Sequence, residues 1–165
     1  MIPKDFVAAY YPFAKQTQDK TGISAIAILA QAALESGWGS SAPGNMFFGI
    51  KDTDGVNGNE QLLKTSEYLA TNTVKFPQIL SVTWDSTKKL YHYLVKDYFR
   101  KYDTPEQCFT DHANFFFNNS RYAMALTVRQ DPFLFTTEVA NAGYATAPGY
   151  SDLLHKIINV IKQYV

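Results

Sequence analysis

The sequence has only one cysteine, Cys108, among its 165 residues. An internal disulfide is therefore excluded and no second thiolate can join a metal cluster, so Cys108 is predicted to be a small core residue. A surplus of charge of one sign is also lacking, since 15 Lys and Arg balance 15 Asp and Glu. Nucleic acids are therefore not expected as partners. No apolar run approaches the roughly 18 residues that cross a membrane, so no membrane insertion is expected.

Several enzyme motifs are missing as well. The three histidines, His92, His112 and His155, lie far apart in the sequence and lack the H-E-x-x-H spacing of zinc sites. His112 is instead predicted to anchor a helix through a hydrogen bond. The chain contains neither a P-loop nor a G-x-S-x-G segment. We therefore expect no metal and no cofactor.

Aromatic residues are the class present in excess, at 15% with 11 Tyr and 12 Phe. Such a surplus either builds an aromatic core or lines a groove for flat ligand faces such as sugar rings, and composition alone favours the core. The remaining composition, 46% hydrophobic and 18% charged, is typical of a globular protein. The length and the absence of repeats or linkers predict one domain over residues 1–165.

Helical patterns dominate both ends of the sequence. Apolar side chains recur at helical spacing over 4–20, and Ser24 is placed to cap a second helix that is apolar on every side and stops at Gly37. Loop is predicted over 40–60, with a short helical turn at 45–48. Later helices are predicted from Pro105 onward and over 120–126, 132–142 and 150–164. The last helix is predicted to bury Leu153, Leu154, Ile157, Ile158 and Ile161.

The middle of the chain follows another pattern. Segments between 61 and 100 are rich in β-branched and aromatic residues with partial alternation, which predicts a small antiparallel sheet. Asp85 and Ser86 are typical of a hairpin turn within it. The predicted fold class is therefore α+β, mainly α, with a β-lobe at about 61–100.

Glu35 is the only acidic residue of the second predicted helix and lies at its end. Partial desolvation and the negative end of the helix dipole both raise the pKa of a carboxyl in that place. A carboxylic acid that stays protonated near neutral pH can give its proton to a glycosidic oxygen. On this environment alone, a solvated glutamate at a helix end is the more common case.

The residues around Glu35 form a longer pattern, because 35–39 read E-S-G-W-G and 45–51 read N-M-F-F-G-I-K. Together they closely resemble the signature of glycoside hydrolase family 73, whose members are bacterial glucosaminidases and peptidoglycan hydrolases of flagellar assembly. Matching segments continue with F-R-K-Y-D at 99–103, D-H at 111–112 and A-G-Y-A-T at 142–146. The resemblance, which runs from about residue 3 to the C-terminus, implies a lysozyme-like helical domain with the β-lobe beside the cleft. It also makes Glu35 the catalytic acid.

A second carboxylate is needed if water is to be activated on the other face of the sugar. The family carries it in a T-x-E element of the β-lobe, which Thr65-Ser66-Glu67 resembles, so Glu67 is the first candidate. Asp85 is its rival because it lies closer to the F-R-x-Y run, as the family's element usually does. Glu60 is a weaker third option, since a solvated loop charge explains it better.

Tyr144 matches a family tyrosine at the catalytic cleft, where a phenol can hold the substrate by hydrogen bonding and stacking. Ala147 stands where the family often has Asp, so the role of that Asp is not carried over. Further candidates for substrate contact are aromatic: Trp38, Phe48 and Tyr122. For Trp38 and Phe48 the alternative is packing beneath Glu35, and for Tyr122 with its neighbour Arg121 it is a structural role.

The resemblance implies a metal-independent hydrolase that cuts β-1,4 bonds after GlcNAc in the GlcNAc/MurNAc strands of peptidoglycan. Water activated by Glu67 predicts inversion, whereas attack by the substrate's own acetamido group predicts retention. The alternatives are a lytic transglycosylase and a binding module without turnover. A monomer acting at the bacterial cell wall is expected. The N-terminus lacks the pattern of a signal peptide, so either an export segment has been removed or delivery resembles that of phage lytic enzymes.

Overall fold

Six α-helices and one three-stranded sheet make up the computed structural model, which describes all of residues 1–165. The helices are α1 (Pro3–Thr21), α2 (Ala25–Ser36), α3 (Pro105–Phe117), α4 (Ala123–Thr127), α5 (Pro132–Asn141) and α6 (Tyr150–Ile161). The strands are β1 (Glu60–Leu69), β2 (Gln78–Asp85) and β3 (Leu90–Arg100). The predicted fold class, mainly helical with a small antiparallel sheet, is confirmed.

The contacts within the chain divide it into two compact units. The helical unit comprises residues 1–48 and 102–165, and the β unit comprises residues 49–101. All six helices belong to the first unit and all three strands to the second. None of the helices is both long and apolar enough to cross a membrane.

Helix α2 lies at the centre of the helical unit, where it packs against α1, α5 and α6. Ser24 caps it as predicted, because its side chain accepts a hydrogen bond from the Ala27 amide. Glu35 is the only exposed residue of the helix. The predicted burial of α2 on almost every side is thus confirmed, and it leaves one charged side chain at the surface.

The turn after α2 explains both glycines of the E-S-G-W-G segment. Gly37 has φ 59°, a left-handed conformation, and its amide donates to the Ala33 carbonyl as a helix cap. Gly39 has φ 76°, and a Cβ there would lie 3.2 Å from the Phe6 ring. Trp38 between them also has a positive φ, 56°, which is uncommon for a bulky residue. The turn is therefore constrained on both sides of Trp38, directly beyond Glu35.

Two predicted details of the helical unit are wrong. Leu153 is 45% exposed, and Tyr150 is buried in its place, because the apolar stripe of α6 runs through residues 150, 154, 157, 158 and 161. Helix α6 also ends at Ile161 and not at 164. The short helical turn in the loop is present as a 3₁₀ turn at Pro43–Asn45, slightly before the predicted position.

The sheet of the β unit has the strand order β1-β3-β2, with both pairs antiparallel. One row across it joins Glu67, Tyr93 and Val82, and the next row of the same face joins Leu69, Tyr91 and Trp84. We call this side the Tyr93 face, since Tyr93 and Val95 on it are fully buried. The opposite side, the His92 face, carries Tyr68, His92, Thr83 and Tyr98, and its β1 residues from Leu62 to Tyr68 are exposed.

Candidate active site

Glu35 lies in the last turn of α2, two residues before the Gly37 cap. Its side chain reaches the surface, yet enough protein surrounds the carboxyl group that partial desolvation raises its pKa. The unpaired carbonyls at the end of α2 act in the same direction. Glu35 therefore combines access to solvent with a preference for the neutral acid, and a proton donor needs both.

Tyr144 lies near Glu35 within the helical unit. Burial raises the pKa of its phenol, and the charges of Tyr150, Glu35 and Tyr122 raise it further. Its ring stacks on that of Tyr150, with the centroids 5.8 Å apart. The phenol of Tyr144 stays protonated at neutral pH and can therefore donate a hydrogen bond beside the Glu35 carboxyl.

A buried hydrogen-bond chain lies on the same side of α2 as Glu35. Gln31 precedes Glu35 by four residues, so the two side chains share one face of the helix. The Gln31 amide oxygen accepts from His112 Nε2 at 3.1 Å, and the amide nitrogen donates to the Tyr150 hydroxyl at 3.4 Å. Burial lowers the pKa of His112 to about 3, so its ring is neutral. The prediction that His112 anchors a helix is confirmed, because this bond joins α3 to α2.

The other aromatic candidates of the helical unit lie in different environments. Phe48 stacks on His112, with centroids 3.7 Å apart and an interplanar angle of 11°, and remains partly exposed. Trp38 packs edge-on against Phe6 at 5.5 Å, within the aromatic core beside α1. Tyr122 is only 2% exposed and packs edge-on against Phe116 at 5.0 Å. Phe48 joins the Glu35 side of α2 through its contact to the buried chain, and Tyr122 packs against Tyr144 with the ring centroids 6.3 Å apart.

Glu67 lies on β1 in the β unit, on the Tyr93 face of the sheet. Its carboxylate accepts from Lys51 Nζ at 2.6 Å, and the same ammonium pairs with Asp97 at 3.2 Å. Burial alone lowers the pKa of Lys51, but the bonds to Glu67 and Asp97 outweigh it and hold this pKa above its usual value. Lys51 thus stays charged at neutral pH and fixes the Glu67 carboxylate in place.

The two other acidic candidates of the β unit bind backbone. Asp85 accepts from the amides of Thr87 and Lys88, both at 2.9 Å, and these bonds to its carboxylate lower its pKa, with that from Lys88 the largest cause. It therefore begins the β2–β3 turn, as predicted from its sequence. Glu60 accepts from the amides of Gly58 and Asn59 at 2.8 and 3.0 Å, which orders the loop before β1.

Sequence reasoning missed four residues that surround the candidates. Gln31 and Tyr150 belong to the buried chain, and Lys51 and Asp97 hold Glu67. Gln31 had a local physical signal, because it is a lone polar residue four positions before Glu35 in an apolar helix, whereas Lys51 was noted only as the last residue of the N-M-F-F-G-I-K segment. The other three reach their partners through the tertiary fold, which spacing along the chain does not reveal.

Comparison with known proteins identifies the family of the chain. The family model described as mannosyl-glycoprotein endo-beta-N-acetylglucosaminidase matches residues 11–164. The peptidoglycan hydrolase FlgJ of Pseudomonas aeruginosa is 31% identical over 97% of this chain, and a probable N-acetylmuramidase of Lactococcus lactis is 31% identical over 93%. The chain spans 37% and 32% of the lengths of these two relatives.

A solved structure supports the same relationship. The glycoside hydrolase domain of FlgJ from Salmonella typhimurium superposes with a TM-score of 0.73 and 30% identity, covering 99% of this chain and 90% of that one. The catalytic domain of the autolysin Auto from Listeria monocytogenes, at 24% identity and a TM-score of 0.72, shares the fold. The lysozyme-like fold that the sequence implied is thus confirmed. The chain belongs to the glucosaminidase family, glycoside hydrolase family 73, and is a glycosidase domain of the kind found in peptidoglycan hydrolases.

Proposed function

We propose that this chain is an endo-β-N-acetylglucosaminidase that cleaves β-1,4 bonds in the GlcNAc/MurNAc strands of peptidoglycan, with Glu35 as the general acid. The observation that carries the proposal is the environment of Glu35: it is the only exposed residue of a buried helix, and partial desolvation raises the pKa of its carboxyl. The acid protonates the leaving oxygen of the glycosidic bond, which is the step that needs a neutral carboxyl near neutral pH.

Glu67 is the second catalytic carboxylate in this proposal. Its support is the Lys51 ion pair, which holds the group on the Tyr93 face, while the carboxylates of Asp85 and Glu60 bind backbone amides. Two routes follow: Glu67 activates water and the anomeric carbon inverts, or the substrate's acetamido oxygen attacks and the configuration is retained. Proton NMR of the first products distinguishes the two routes by the anomer that is released.

Tyr144 acts beside the acid as a hydrogen-bond donor to the substrate. Its phenol stays protonated because burial and the nearby Glu35 charge raise its pKa. Phe48, which is partly exposed and stacked on His112, supplies an apolar surface for a sugar ring at the same side of α2. The interactions of Trp38 and Tyr122 favour the supporting role that was the alternative for each.

The working form of this protein in the proposal is a monomer that acts at the bacterial cell wall. The substrate is the peptidoglycan strand, and nucleic acid is not a partner. The proposal keeps the prediction of one catalytic domain over residues 1–165, with Glu35 and Glu67 as its two carboxyl groups.

Digestion of purified peptidoglycan, followed by mass spectrometry of reduced products, tests the proposal. We expect muropeptides with GlcNAc at the reducing end from the wild type, and a loss of at least about 100-fold in rate for Glu35→Gln. Unchanged thermal unfolding of the variant shows that the loss is chemical. Anhydro-sugar ends would identify a lytic transglycosylase, and an intact wall with retained binding would identify a module without turnover.

A second bond specificity is favoured by one relative, the probable N-acetylmuramidase of Lactococcus lactis. That activity would leave MurNAc at the reducing end, so the same digestion separates it from the glucosaminidase. The role of Glu35 is the same in both cases, because the leaving oxygen needs a proton in either reaction.

A further inference from the structure

Phe115 is an exposed aromatic residue of the helical unit that the catalytic proposal leaves unused. Helix α3 ends in three consecutive phenylalanines, of which Phe116 is buried while Phe115 and Phe117 are 43% and 45% exposed. Leaving a large aromatic ring in water costs free energy, because its apolar surface stays hydrated. An exposed ring that adjoins catalytic residues is therefore a candidate for contact with a ligand.

The contacts of Phe115 place it beside the proposed catalytic residues. Its ring meets that of Tyr144 edge to face, with the centroids 6.3 Å apart. Burial raises the pKa of the Tyr144 phenol and the charge of Glu35 raises it further, so these two groups lie close together. Four other rings that contact Tyr144 are buried, namely those of His112, Phe116, Tyr122 and Tyr150. Phe115 is therefore the exposed ring in the aromatic surroundings of Tyr144.

Tyr122 supports the Phe115 ring from the buried side. It is only 2% exposed and packs against Phe115 with the centroids 5.5 Å apart. Tyr122 also contacts Tyr144, so one buried ring holds both of these neighbours in place. Because its neighbours limit its rotation, Phe115 loses little further freedom when a ligand packs on it.

The rings of Phe48 and Phe115 have similar orientations through their shared neighbour, His112. Phe48 stacks on the imidazole with an interplanar angle of 11°, and the plane of Phe115 lies within 8° of the imidazole at a centroid distance of 6.4 Å. His112 itself is buried, whereas both phenylalanines keep exposed surface. Two apolar ring surfaces of similar orientation on one unit suit a ligand that is a chain of repeating rings.

We propose that Phe115 forms a glycan subsite next to Tyr144, on which a GlcNAc or MurNAc ring of the peptidoglycan strand stacks. The inference rests on the proposed function for its substrate class. The C–H groups on one side of a pyranose ring are apolar and weakly positive, so they pack on the negative face of a phenyl ring. A strand held at Glu35 and Tyr144 extends past the residues that border them, and Phe115 is the exposed ring in contact with Tyr144. A single exposed ring is also far smaller than the roughly 800 Å² that each partner contributes to a protein interface.

Phe117 offers a matched control on the same helix. It is the same residue type with nearly the same exposure, but residues two positions apart on a helix do not face each other. The centroid of its ring lies 5.9 Å from the Arg129 guanidinium. A general effect of losing an exposed phenyl ring would therefore appear in both alanine variants, whereas a subsite effect is confined to Phe115.

The test measures KM and kcat on soluble peptidoglycan fragments, and the affinity of Glu35→Gln protein for a tetramer of N-acetylglucosamine. We expect Phe115→Ala to raise KM and weaken tetramer binding by about three- to tenfold, with kcat changed less than about twofold. Phe115→Tyr keeps the aromatic face, so its KM and affinity should stay within about twofold of the wild type. Phe117→Ala should stay within about twofold of the wild type in every measurement.

Phe115→Leu separates stacking on a sugar from packing within the protein. Leucine keeps an apolar contact with Tyr122 but has no ring face, so tetramer binding should fall nearly as far as in Phe115→Ala. Thermal unfolding of each variant shows that the fold is intact. Full affinity in Phe115→Leu beside reduced affinity in Phe115→Ala would show that Phe115 only packs against its neighbours, and would overturn the subsite.

The remaining outcomes separate the subsite from the proposed function. Cleavage by the wild type with an unaltered KM and tetramer affinity in Phe115→Ala would overturn the subsite and leave the enzyme intact, as would an equal loss in Phe115→Ala and Phe117→Ala. Tetramer binding that depends on Phe115, without any cleavage by the wild type, would instead overturn the proposed function and support the subsite. Neither cleavage nor tetramer binding by the wild type would overturn both.

Discussion

The helical unit and the β unit hold their key carboxyl groups by different means. Glu35 is positioned by the packing of α2 and by the constrained turn that follows it, and its pKa is raised by desolvation. Glu67 is positioned by charge, through an ion pair with a lysine that is 41% exposed. The first arrangement favours a neutral acid, and the second ties the carboxylate to a nearby positive charge.

This difference matches what the proposed mechanism asks of the two groups, since in glycoside hydrolysis one carboxyl gives a proton and the other acts as a base or an electrostatic partner. It also predicts different sensitivities. Substitutions that alter core packing should change the placement of the Glu35 carboxyl. Added salt and substitutions that alter charge should change the placement of the Glu67 carboxylate, because exposed ion pairs are screened by salt.

The largest expected difference is in kcat, between variants of Glu67 and of Asp85. If Glu67 activates water, Glu67→Gln lowers kcat by about 100-fold or more, because a general base contributes at least that much. Asp85→Asn keeps an oxygen that can accept from the turn amides, so its kcat should stay within about threefold. Initial rates on purified cell walls measure both variants. An inactive Asp85→Asn beside an active Glu67→Gln would reverse the assignment.

The buried hydrogen-bond chain through Gln31 should affect the free energy of unfolding of the protein. Gln31→Leu leaves the buried His112 donor without its acceptor, so the free energy of unfolding should fall by about 1–3 kcal/mol. Gln16→Leu is the control, since Gln16 is an exposed residue of α1, and its effect should stay within about 0.5 kcal/mol. Urea unfolding of the two variants gives both values. Equal stabilities would show that the chain contributes nothing.

Removing the charge that holds Glu67 should affect activity more than folding. Lys51→Met should lower kcat several-fold by releasing the Glu67 carboxylate, while the free energy of unfolding changes by less than about 1 kcal/mol, as for other exposed ion pairs. Lys64→Met alters the same charge on the His92 face and serves as the control. An equal loss of rate in both variants would mean that the two lysines act by attracting a charged substrate, and that Lys51 does not act by holding Glu67.

The smallest effect concerns Glu35 and the stability of the fold. Its raised pKa means that the folded state binds the proton more tightly, so the contribution of Glu35 to stability is present at low pH and lost as pH rises through that pKa. Glu35→Gln should therefore melt at the same temperature as the wild type near pH 4 and slightly higher at pH 7, by less than about 3 °C. Thermal scans across this pH range test the sign, and a lower melting temperature at pH 7 would contradict it.

Much of the helical unit could be predicted from the sequence, because its signals are local. The Ser24 cap, the Gly37 stop and the apolar residues between them define α2, and they place Glu35 at its end without reference to any other segment. The E-S-G-W-G and N-M-F-F-G-I-K segments then indicated the family, which the comparisons confirmed.

The details that the sequence did not predict depend on pairing between distant residues. Leu153 was wrongly placed because the packing partners of α6 decide which residue at the edge of its apolar stripe is buried, and they bury Tyr150. Lys51 lies outside the strands and reaches Glu67 across 16 residues of sequence, and Trp84 meets Tyr91 through the register of β2 and β3. Asp85 is a different case, because its turn is local and was predicted, and its rivalry with Glu67 came only from the position of the family's element.

Cys108 gives the helical unit a chemical probe of its own motion. Its thiol is fully buried on α3, and burial raises its pKa to about 12, so the folded protein holds almost no thiolate. A disulfide reagent can react with it only when the helices separate, and the rate of that reaction reports how often they do. Because the β unit contains no cysteine, opening of the sheet alone stays silent in this measurement. The rate of reaction of this single thiol thus measures how often the helical unit opens, independently of any opening of the sheet.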